Sequence, residues 1–394
     1  MARPAFKNWI THVQTRRTEQ LLKYAAESKV ISFAGGLPAE ELFPSAELER
    51  AFQLVITEQA AEALQYTWSE GCERLREQVA AQMSERGLRV SPDEIIITSG
   101  AQQGLDLLAK LFIRSGDALA IETPTYVPAI QSFEMHAPKF LPLPRESSHL
   151  DINAFRRQAL QSTPRLLYLI PAGHNPTGGV LAAEQHHEIL AAISGMATIV
   201  IEDAAYADIQ YEAPRPPMFA IDRARVLFLG SFSKVLSPGL RVGWIAGPAD
   251  VIRQLALIKQ ATDLQTSTLN QLVLSRYFES HTLKEQIARC IPFYRERRGV
   301  MLEALKGEFP SDARWNTPAA GFSVWIELPS RVNTEELLTQ AVAHGVAFEP
   351  GRPFFVTHKF QNFLRLSFSN QPPEQIREGV RRLGTILRSA LRAG

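Results

Sequence analysis

The stretch Leu229 to Trp244, "LGSFSKVLSPGLRVGW", joins two apolar runs and places one lysine between them. The runs "ARVLFLG" (224–230) and "RVGWIAG" (241–247) are short and rich in branched and aromatic residues, which is typical of buried strands. Lys234 therefore lies on the connection between two strands. An amine held among small neighbours at the end of a sheet is partly desolvated, which favours its neutral, nucleophilic form.

Two serines and an arginine near this lysine suit a phosphate group. The hydroxyls of Ser231 and Ser233 and the guanidinium of Arg241 can donate hydrogen bonds to a dianion. A nucleophilic lysine beside a phosphate site indicates a Schiff base with pyridoxal phosphate. Taken alone, the stretch also fits a solvated loop lysine beside a structural arginine.

The composition of the 394 residues is that of an ordinary globular protein, with 45% apolar and 21% charged residues. The formal net charge of +1 and the lack of a basic block argue against nucleic acid as a partner. Cys72 and Cys290 offer neither a disulfide framework nor metal-ligand spacing, so we expect no metal. Residues 1–17 lack the apolar core of a signal peptide, and no apolar run reaches the roughly 18 residues that cross a membrane. We therefore expect a cytoplasmic protein without a membrane partner.

Apolar runs alternate with helical patterns from Glu94 onward, and this alternation predicts an α/β fold. The runs are "EIIIT", "DALAIE", "RLLYLIP", "ATIVIED", "RVLFLG" and "RVGWIAG". Strands separated by helices indicate βαβ units, and hence a mostly parallel sheet flanked by helices.

The character of the sequence changes after a long helical pattern over residues 283–309. The segments "GFSVWIELP" and "FLRLSFS" alternate apolar and polar residues, as half-buried antiparallel strands do. We predict an N-terminal segment and substrate loop (1–45), a large cofactor-binding domain (46–285) and a smaller α+β C-terminal domain (286–394).

Residues suited to cofactor chemistry follow the predicted strands, where ligands of open α/β sheets bind. Ala101 and Gln102 lie in "SGAQQG" after the first strand, where backbone N–H groups can hold an anion at a helix start. Tyr126 can stack on a planar ring, and Asn175 can donate to a ring hydroxylate. Asp203 ends "ATIVIED", and a buried carboxylate there needs a partner such as a protonated pyridine nitrogen.

Each of these residues also has an ordinary structural interpretation. Asp203 fits a helix cap, Tyr126 fits core packing, and "HNPTGG" fits a turn. His186 and His187 are adjacent on a predicted helix and do not face one another, so we do not interpret them as metal ligands.

The sequence contains a series of motifs, in the order "SGAQQG", "ETPTY", "HNPTGG", "EDAAYAD", "GSFSK" and "LRVGW", ending in "LRLSFS". This series resembles that of fold-type I aminotransferases that use pyridoxal phosphate. The stretches "ISFAGGLPAEELFP" and "QYTWSEG" resemble the branch that contains 2-aminoadipate and kynurenine aminotransferases and the aminotransferase-like half of MocR-type regulators. The resemblance covers about residues 30–370.

The resemblance implies a role for each matching residue. Lys234 binds the cofactor covalently and moves the proton, Asp203 pairs the ring nitrogen, and Tyr126 stacks on the ring. Asn175 and Tyr206 hydrogen-bond the ring hydroxylate. The implied phosphate ligands are the backbone of Ala101 and Gln102, the side chains of Ser231, Ser233 and Arg241, and Tyr66 from the neighbouring subunit of a homodimer. The implied substrate ligands are Arg365, which holds the α-carboxylate, with Asn175 and Gly36.

Two residues depart from the family pattern. His174 stands where glutamine is usual, and its role stays open. Ala101 stands where serine is usual, and it loses a hydroxyl contact but keeps the backbone N–H.

We expect a dimeric aminotransferase of amino-acid metabolism that runs a ping-pong cycle, with 2-oxoglutarate as the acceptor. Decarboxylation or elimination on the same cofactor stays open, because the orientation of the bonds at Cα decides the reaction. A non-catalytic, cofactor-sensing regulator is disfavoured, because about thirty residues precede "ISFAGGLP", too few for an ordinary DNA-binding domain.

The expected amino donor has an aromatic or large aliphatic side chain. In the 2-aminoadipate and kynurenine relatives, an N-terminal arginine meets acidic or polar side chains. Ungapped alignment places Glu19 there, with Arg16 and Arg17 one turn earlier, and a carboxylate would repel an acidic side chain. Phe33, Trp68, Phe354 and Phe355 together fit an apolar pocket, although core packing accounts better for each one taken singly. The alternative is an enzyme of the 2-aminoadipate type.

Overall fold

The computed structural model describes residues 30–357 and 360–393. Its strands are β1 (Ile31–Ser32), β2 (Ile95–Thr98), β3 (Ala118–Thr123), β4 (Lys139–Glu146), β5 (His149–Leu150), β6 (Leu166–Leu169), β7 (Ile199–Asp203), β8 (Val226–Ser231), β9 (Gly243–Ala246), β10 (Arg314–Trp315), β11 (Ser323–Glu327), β12 (Val346–Ala347), β13 (Glu349–Pro350) and β14 (Phe363–Ser367). Its α-helices are α1 (Ser45–Glu58), α2 (Ala60–Ala63), α3 (Glu73–Glu85), α4 (Ala101–Phe112), α5 (Val127–Glu134), α6 (Ile152–Gln161), α7 (Ala183–Ala192), α8 (Ala249–Asp263), α9 (Thr268–Phe278), α10 (Leu283–Glu308), α11 (Thr334–Ala343) and α12 (Pro373–Ala393).

The large sheet has the strand order β2-β9-β8-β7-β6-β3-β4-β5. Its central pairings, from β4 through β3, β6 and β7 to β8, are parallel. Strand β9 runs antiparallel to both β8 and β2. The prediction of an α/β fold with a mostly parallel sheet is confirmed.

Helices cover both faces of this sheet, as the side chains of β2 illustrate. Successive side chains of a strand point to opposite faces. Ile95 and Ile97 belong to one apolar cluster, which also holds Val79 of α3, whereas Ile96 belongs to another, which holds Leu105 of α4. Because both faces are buried, the central strands are apolar throughout rather than alternating.

Strand β4 is missing from the sequence prediction. Its segment "KFLPLPRE" contains Pro142 and Pro144, which cannot donate to a ladder and so argue against a strand. The strand lies next to the short edge strand β5, which pairs with its last two residues alone. The prolines are therefore tolerated, because β4 has an edge position over most of its length.

A second sheet, of order β10-β11-β14-β13, follows the long helix α10 and is antiparallel throughout. Its register places Arg365 of β14 opposite Trp325 on one side and opposite Glu349 on the other. The predicted antiparallel strands in "GFSVWIELP" and "FLRLSFS" are thus present. Near the N-terminal end, β1 pairs in parallel with β12. The division of the chain near residues 45 and 285 stays a prediction.

Strands β3, β6, β7 and β8 are parallel, so their carboxyl ends lie along one edge of the large sheet. β2 points the same way, since it and β8 are both antiparallel to β9. The connections after these five strands therefore meet. Within the described ranges, no helix is long and apolar enough to cross a membrane.

Candidate active site

A cavity of about 140 Å³ lies at this edge of the large sheet. The residues that line it are Ala101, Gln102, Tyr126, Ile170, Asn175, Asp203, Ala205, Tyr206, Ser231, Ser233, Lys234, Pro238 and Arg241. Every cofactor-binding residue predicted from the sequence is among them except Tyr66.

Asp203 forms the acidic end of the cavity. It ends β7 and is 4% exposed. The Tyr168 hydroxyl donates to Asp203 Oδ2 at 2.7 Å, and the Ala205 N–H donates to Oδ1 at 3.1 Å. Burial raises the pKa of Asp203, whereas these two hydrogen bonds and the charge of Lys234 lower it. A buried carboxylate in the wall of a cavity is suited to pair with a cation.

Lys234 lies on the connection after β8 and is partly buried. Its Nζ donates to the carbonyl of Gly36 at 3.1 Å and lies 5.1 Å from the centre of the Tyr206 ring. A Cβ added at Gly36 would lie 3.0 Å from the Tyr206 hydroxyl, so a side chain there would crowd this contact. Gly36 thus belongs to the surroundings of the lysine, and its role in substrate binding stays a prediction.

The start of α4 forms an anion-binding end of the cavity. Gly100 precedes the helix with φ +79° and provides no side-chain cap, so the first N–H groups of the helix face the cavity wall at Ala101 and Gln102. A Cβ on Gly100 would lie 2.5 Å from Nη2 of Arg241. The missing side chain therefore leaves the space that the arginine occupies beside the helix terminus.

Arg241 and two serines complete this end. The Arg241 backbone is left-handed, at φ 52° and ψ 49°, which is uncommon outside glycine and typical of functional sites. Its Nη2 donates to the carbonyl of Ser99 at 3.1 Å. Ser231 and Ser233 both line the cavity, and the Ser231 hydroxyl accepts from the Ser233 N–H at 3.2 Å.

The middle of the cavity is bounded by two tyrosines and an asparagine. Tyr126 lies at the start of α5, and burial raises its pKa, so its hydroxyl stays neutral. Tyr206 packs edge-on against Phe322, with 5.2 Å between ring centres. Asn175 is 6% exposed and accepts through Oδ1 from Nη1 of Arg365 at 2.8 Å.

Arg365 lies behind Asn175 and is 6% exposed. Its Nη2 donates to the carbonyl of Ala34 at 2.5 Å and also to the carboxylate of Glu349. The guanidinium lies over the Phe354 ring at 5.2 Å. The predicted substrate arginine is therefore joined to the cavity through Asn175.

His174 belongs to a buried network behind the cavity. Its Nδ1 is 2.8 Å from the Thr177 hydroxyl, and its Nε2 is 3.6 Å from Oε2 of Glu122, which pairs with Arg145. Burial and the charge of Arg145 hold the pKa of His174 well below 6.5, so it is neutral. It therefore packs against the Glu122–Arg145 pair without carrying a charge of its own.

Several residues predicted for the site lie elsewhere. Tyr66 and Trp68 are 76% and 75% exposed and do not line the cavity. Phe33 is buried in the main core, Phe354 and Phe355 are buried in a smaller apolar cluster, and none of the three lines the cavity. Arg16, Arg17 and Glu19 lie outside the described residues.

Two residues of the site escaped the sequence analysis. Tyr168 and Glu349 each contact a predicted site residue, Asp203 and Arg365 respectively. Each is a polar residue inside an apolar run, "LLYLIP" and "VAFEPG", and this is the signal that could have revealed them. Their partners are set by strand pairing, which the local sequence does not specify.

These groups define the class of protein. A helix start without a side-chain cap, a partly buried amine and a buried carboxylate surround one cavity, and Gly100 leaves room for the Arg241 guanidinium beside the helix start. This donor set fits pyridoxal phosphate, which carries a phosphate, an aldehyde and a ring nitrogen. Among the described residues, no cluster of three or more His, Cys, Asp or Glu side chains could hold a metal ion.

The chain belongs to the family "Aminotransferase class I and II", which it matches over residues 28–383. It is 38% identical to aromatic-amino-acid aminotransferase 1 of Thermococcus litoralis, over 95% of this chain and 91% of the relative. It is also 38% identical to the 2-aminoadipate transaminase of Thermus thermophilus, over 98% of this chain and 97% of the relative.

Solved structures agree with this assignment. The α-aminoadipate aminotransferase of Thermus thermophilus, complexed with N-(5'-phosphopyridoxyl)-L-leucine, has a TM-score of 0.92 and 38% identity, covering 99% of this chain and 98% of that one. The kynurenine aminotransferase of Pyrococcus horikoshii has a TM-score of 0.92 and 32% identity, covering 98% and 97%. The resemblance inferred from the motifs is confirmed, and the protein is a pyridoxal-phosphate-dependent aminotransferase.

Proposed function

We propose that the enzyme moves the amino group of an L-amino acid with an aromatic or large aliphatic side chain to 2-oxoglutarate by a ping-pong mechanism. When bound, pyridoxal phosphate supplies a ring that accepts electrons from the substrate Cα. The residues of this chain bind the cofactor, orient the substrate and move the proton at Cα.

Each cavity residue has a role in this proposal. Lys234 binds the cofactor and then carries the proton to and from Cα, since it is the lysine that lines the cavity among the residues that the structure describes. Asp203 keeps the ring nitrogen protonated, and Asn175 and Tyr206 hold the ring hydroxylate. Tyr126 lies against the ring. The phosphate ligands are Ala101, Gln102, Ser231, Ser233 and Arg241.

The contact of 2.8 Å between Arg365 and Asn175 is the observation that carries the assignment of α-amino acids as substrates. An α-amino acid holds an amine and a carboxylate on one carbon. Lys234 and Asn175 both line the cavity, and the guanidinium of Arg365 lies directly behind Asn175, to which it donates. Arg365 is therefore the side chain that holds the α-carboxylate.

An apolar cluster beside Arg365 supports the preference for apolar side chains. Phe354 and Phe355 are 1% and 4% exposed and pack with Trp325 and Val127 at the start of α5. Phe354 also faces the guanidinium of Arg365. Relatives named as aromatic-amino-acid aminotransferase and as complexed with a leucine adduct fit the same preference.

A homodimer with shared active sites is also part of the proposal. Leu64, Tyr66 and Trp68 are each about three-quarters exposed on the connection between α2 and α3. Leu264, which is 50% exposed, adjoins this connection, because the Ser69 hydroxyl donates to the Leu264 carbonyl at 2.7 Å. Large exposed apolar side chains grouped on neighbouring connections in this way are typical of a surface that a partner covers. Tyr66 would then reach the phosphate of the second subunit.

We also infer a cytoplasmic location from the two cysteines. Cys72 and Cys290 are both buried and free, and burial raises the pKa of each thiol. Two cysteines that form no disulfide are typical of a protein from a reducing compartment.

The substrate proposal is tested by kcat/KM for phenylalanine, leucine and 2-aminoadipate at a fixed concentration of 2-oxoglutarate. We expect phenylalanine and leucine to exceed 2-aminoadipate. A clear preference for 2-aminoadipate would contradict the proposal and favour the alternative that the 38% identity to the Thermus thermophilus transaminase suggests. Release of carbon dioxide or ammonia in place of a 2-oxo product would contradict transamination.

A further inference from the structure

One nitrogen of Arg365, Nη2, already donates hydrogen bonds to two acceptors. A guanidinium has five N–H donors, and its two bidentate faces are the pair Nη1 and Nη2 and the pair Nε and Nη2. Both faces use an Nη2–H. In this structure Nη2 donates to the Ala34 carbonyl and to Glu349, while Nε is buried without a partner. A substrate carboxylate therefore cannot be bound bidentately until one of these two acceptors leaves.

Glu349 is the acceptor that can leave. The backbone directly before Ala34 is held by strand-like pairing, because the Phe33 N–H donates to the Ala347 carbonyl and the Phe33 carbonyl accepts from the Ser367 N–H, each at 2.8 Å. The carboxylate of Glu349, by contrast, is at the end of a side chain with rotatable bonds. Glu349 lies opposite Arg365 in the β13–β14 pair, and its side chain is 14% exposed.

We propose that Glu349 competes with the α-carboxylate of the substrate for Arg365, and that it takes up a proton when the substrate displaces it. This inference rests on the proposed role of Arg365. A displaced Glu349 would otherwise be a buried charge without a partner, beside the negative charge of the substrate, and both effects favour its neutral form.

The direction of the pH dependence follows from the surroundings of Glu349. Burial raises the pKa of Glu349, and the charge and hydrogen bond of Arg365 lower it. When the substrate takes Arg365, that lowering is lost and the pKa rises further. Tyr126, which stays neutral, is close to both members of the pair, and the elements next to β13 carry the Glu335–Arg352 ion pair, at 3.6 Å between α11 and the turn after β13. Carboxylate binding should therefore weaken as pH rises above the pKa of unliganded Glu349.

The test is calorimetric titration of the holoenzyme with 3-phenylpropionate, a carboxylic acid without an amino group, in two buffers of different protonation enthalpy. We expect the wild type to take up as much as one proton per ligand. We expect E349Q to take up none from this group and to bind about tenfold tighter, since it removes a like charge from the site. Glu327→Gln, the same change at an exposed position of β11 in the same sheet, is the matched control and should behave as the wild type.

Equal or weaker binding by E349Q, or unchanged proton uptake, would overturn the inference. If E349Q does not fold, E349D serves in its place. Its shorter side chain releases Arg365 more readily, so 3-phenylpropionate should bind E349D more tightly than it binds the wild type. Equal binding by the two proteins would overturn the inference. Turnover of phenylalanine by the wild type distinguishes a failure of the inference about Glu349 from a failure of the proposed function. An active enzyme with unchanged proton uptake refutes the role of Glu349 alone, whereas an inactive one refutes the proposed function.

Discussion

Replacing Tyr168 with phenylalanine removes one hydroxyl from behind the cofactor cavity and changes little else. Tyr168 is fully buried in β6 and packs edge-on against Phe133, with 5.5 Å between ring centres. Phenylalanine keeps this packing. The lost group is the hydroxyl that donates to Asp203 at 2.7 Å. Tyr168→Phe therefore isolates the contribution of one hydrogen bond to the ionised state of Asp203.

The size of the effect follows from this contact. A hydrogen bond to a charged group contributes about 1.5–3 kcal/mol, and about 1.4 kcal/mol corresponds to one pKa unit. Losing the Tyr168 hydroxyl should therefore raise the pKa of Asp203 by about 1–2 units. Asp203 must give up its proton before it can pair a protonated ring nitrogen. Cofactor binding should thus weaken below the raised pKa and stay unchanged above it.

The assay is a spectroscopic titration of cofactor-free protein with pyridoxal phosphate across a range of pH. In Tyr168→Phe the acid side of the affinity profile should move up by about 1–2 pH units, with the same plateau at higher pH. Tyr211→Phe is the matched control, because it removes a buried hydroxyl that donates to the Gly321 carbonyl at 2.6 Å. An unshifted profile in Tyr168→Phe, or an equal shift in Tyr211→Phe, would refute the reasoning.

Three further predictions concern stability, substrate binding and assembly. Burial raises the pKa of Glu202 from 4.5 to about 7, so the stability that its neutral form contributes is lost as pH rises through that range. In urea titrations, the free energy of unfolding of the wild type should fall by about 3 kcal/mol relative to that of Glu202→Gln as the pH is raised from below this range to above it. A difference between the two proteins that does not change with pH would contradict this. Arg365→Lys keeps the positive charge but loses the paired N–H donors of the guanidinium, so KM for phenylalanine should rise about 100-fold while the cofactor spectrum stays unchanged. An unchanged KM would rule out Arg365 as the ligand of the substrate α-carboxylate. Tyr66→Phe should lower cofactor affinity about tenfold in a protein that sediments as a dimer, and a fully active monomer would exclude shared sites.

Much of the fold could be predicted from the sequence because the central strands are buried on both faces. Such strands form continuous apolar runs, and "EIIIT" and "RLLYLIP" mark them directly. Strand β4 was not predicted, because Pro142 and Pro144 interrupt its pattern. The strand forms nevertheless, because it has an edge position over most of its length, where prolines are tolerated. Local sequence describes how a segment is buried, but not what position a strand has in the sheet.

The site residues divide in the same way, into those that could be predicted from their position along the chain and those that depend on strand pairing. Asp203 ends a strand and Lys234 and Asn175 each follow one, so their meeting at one edge could be predicted from topology. Glu349 reaches Arg365 through a cross-strand pairing, and its partner depends on register. Phe33 was predicted as a pocket residue from its loop, yet it packs in the core because β1 joins β12.

The central claim, that Lys234 is the residue that binds pyridoxal phosphate, is tested most directly by borohydride reduction of the holoenzyme followed by tryptic mapping. A pyridoxyl group on Lys234 blocks cleavage there, so the account predicts one labelled peptide that spans residues 226–241, from the residue after Arg225 to Arg241. The separate peptide ending at Lys234 should disappear as the label appears. A pyridoxyl group on any other lysine, with residues 226–234 released unmodified, would contradict the account.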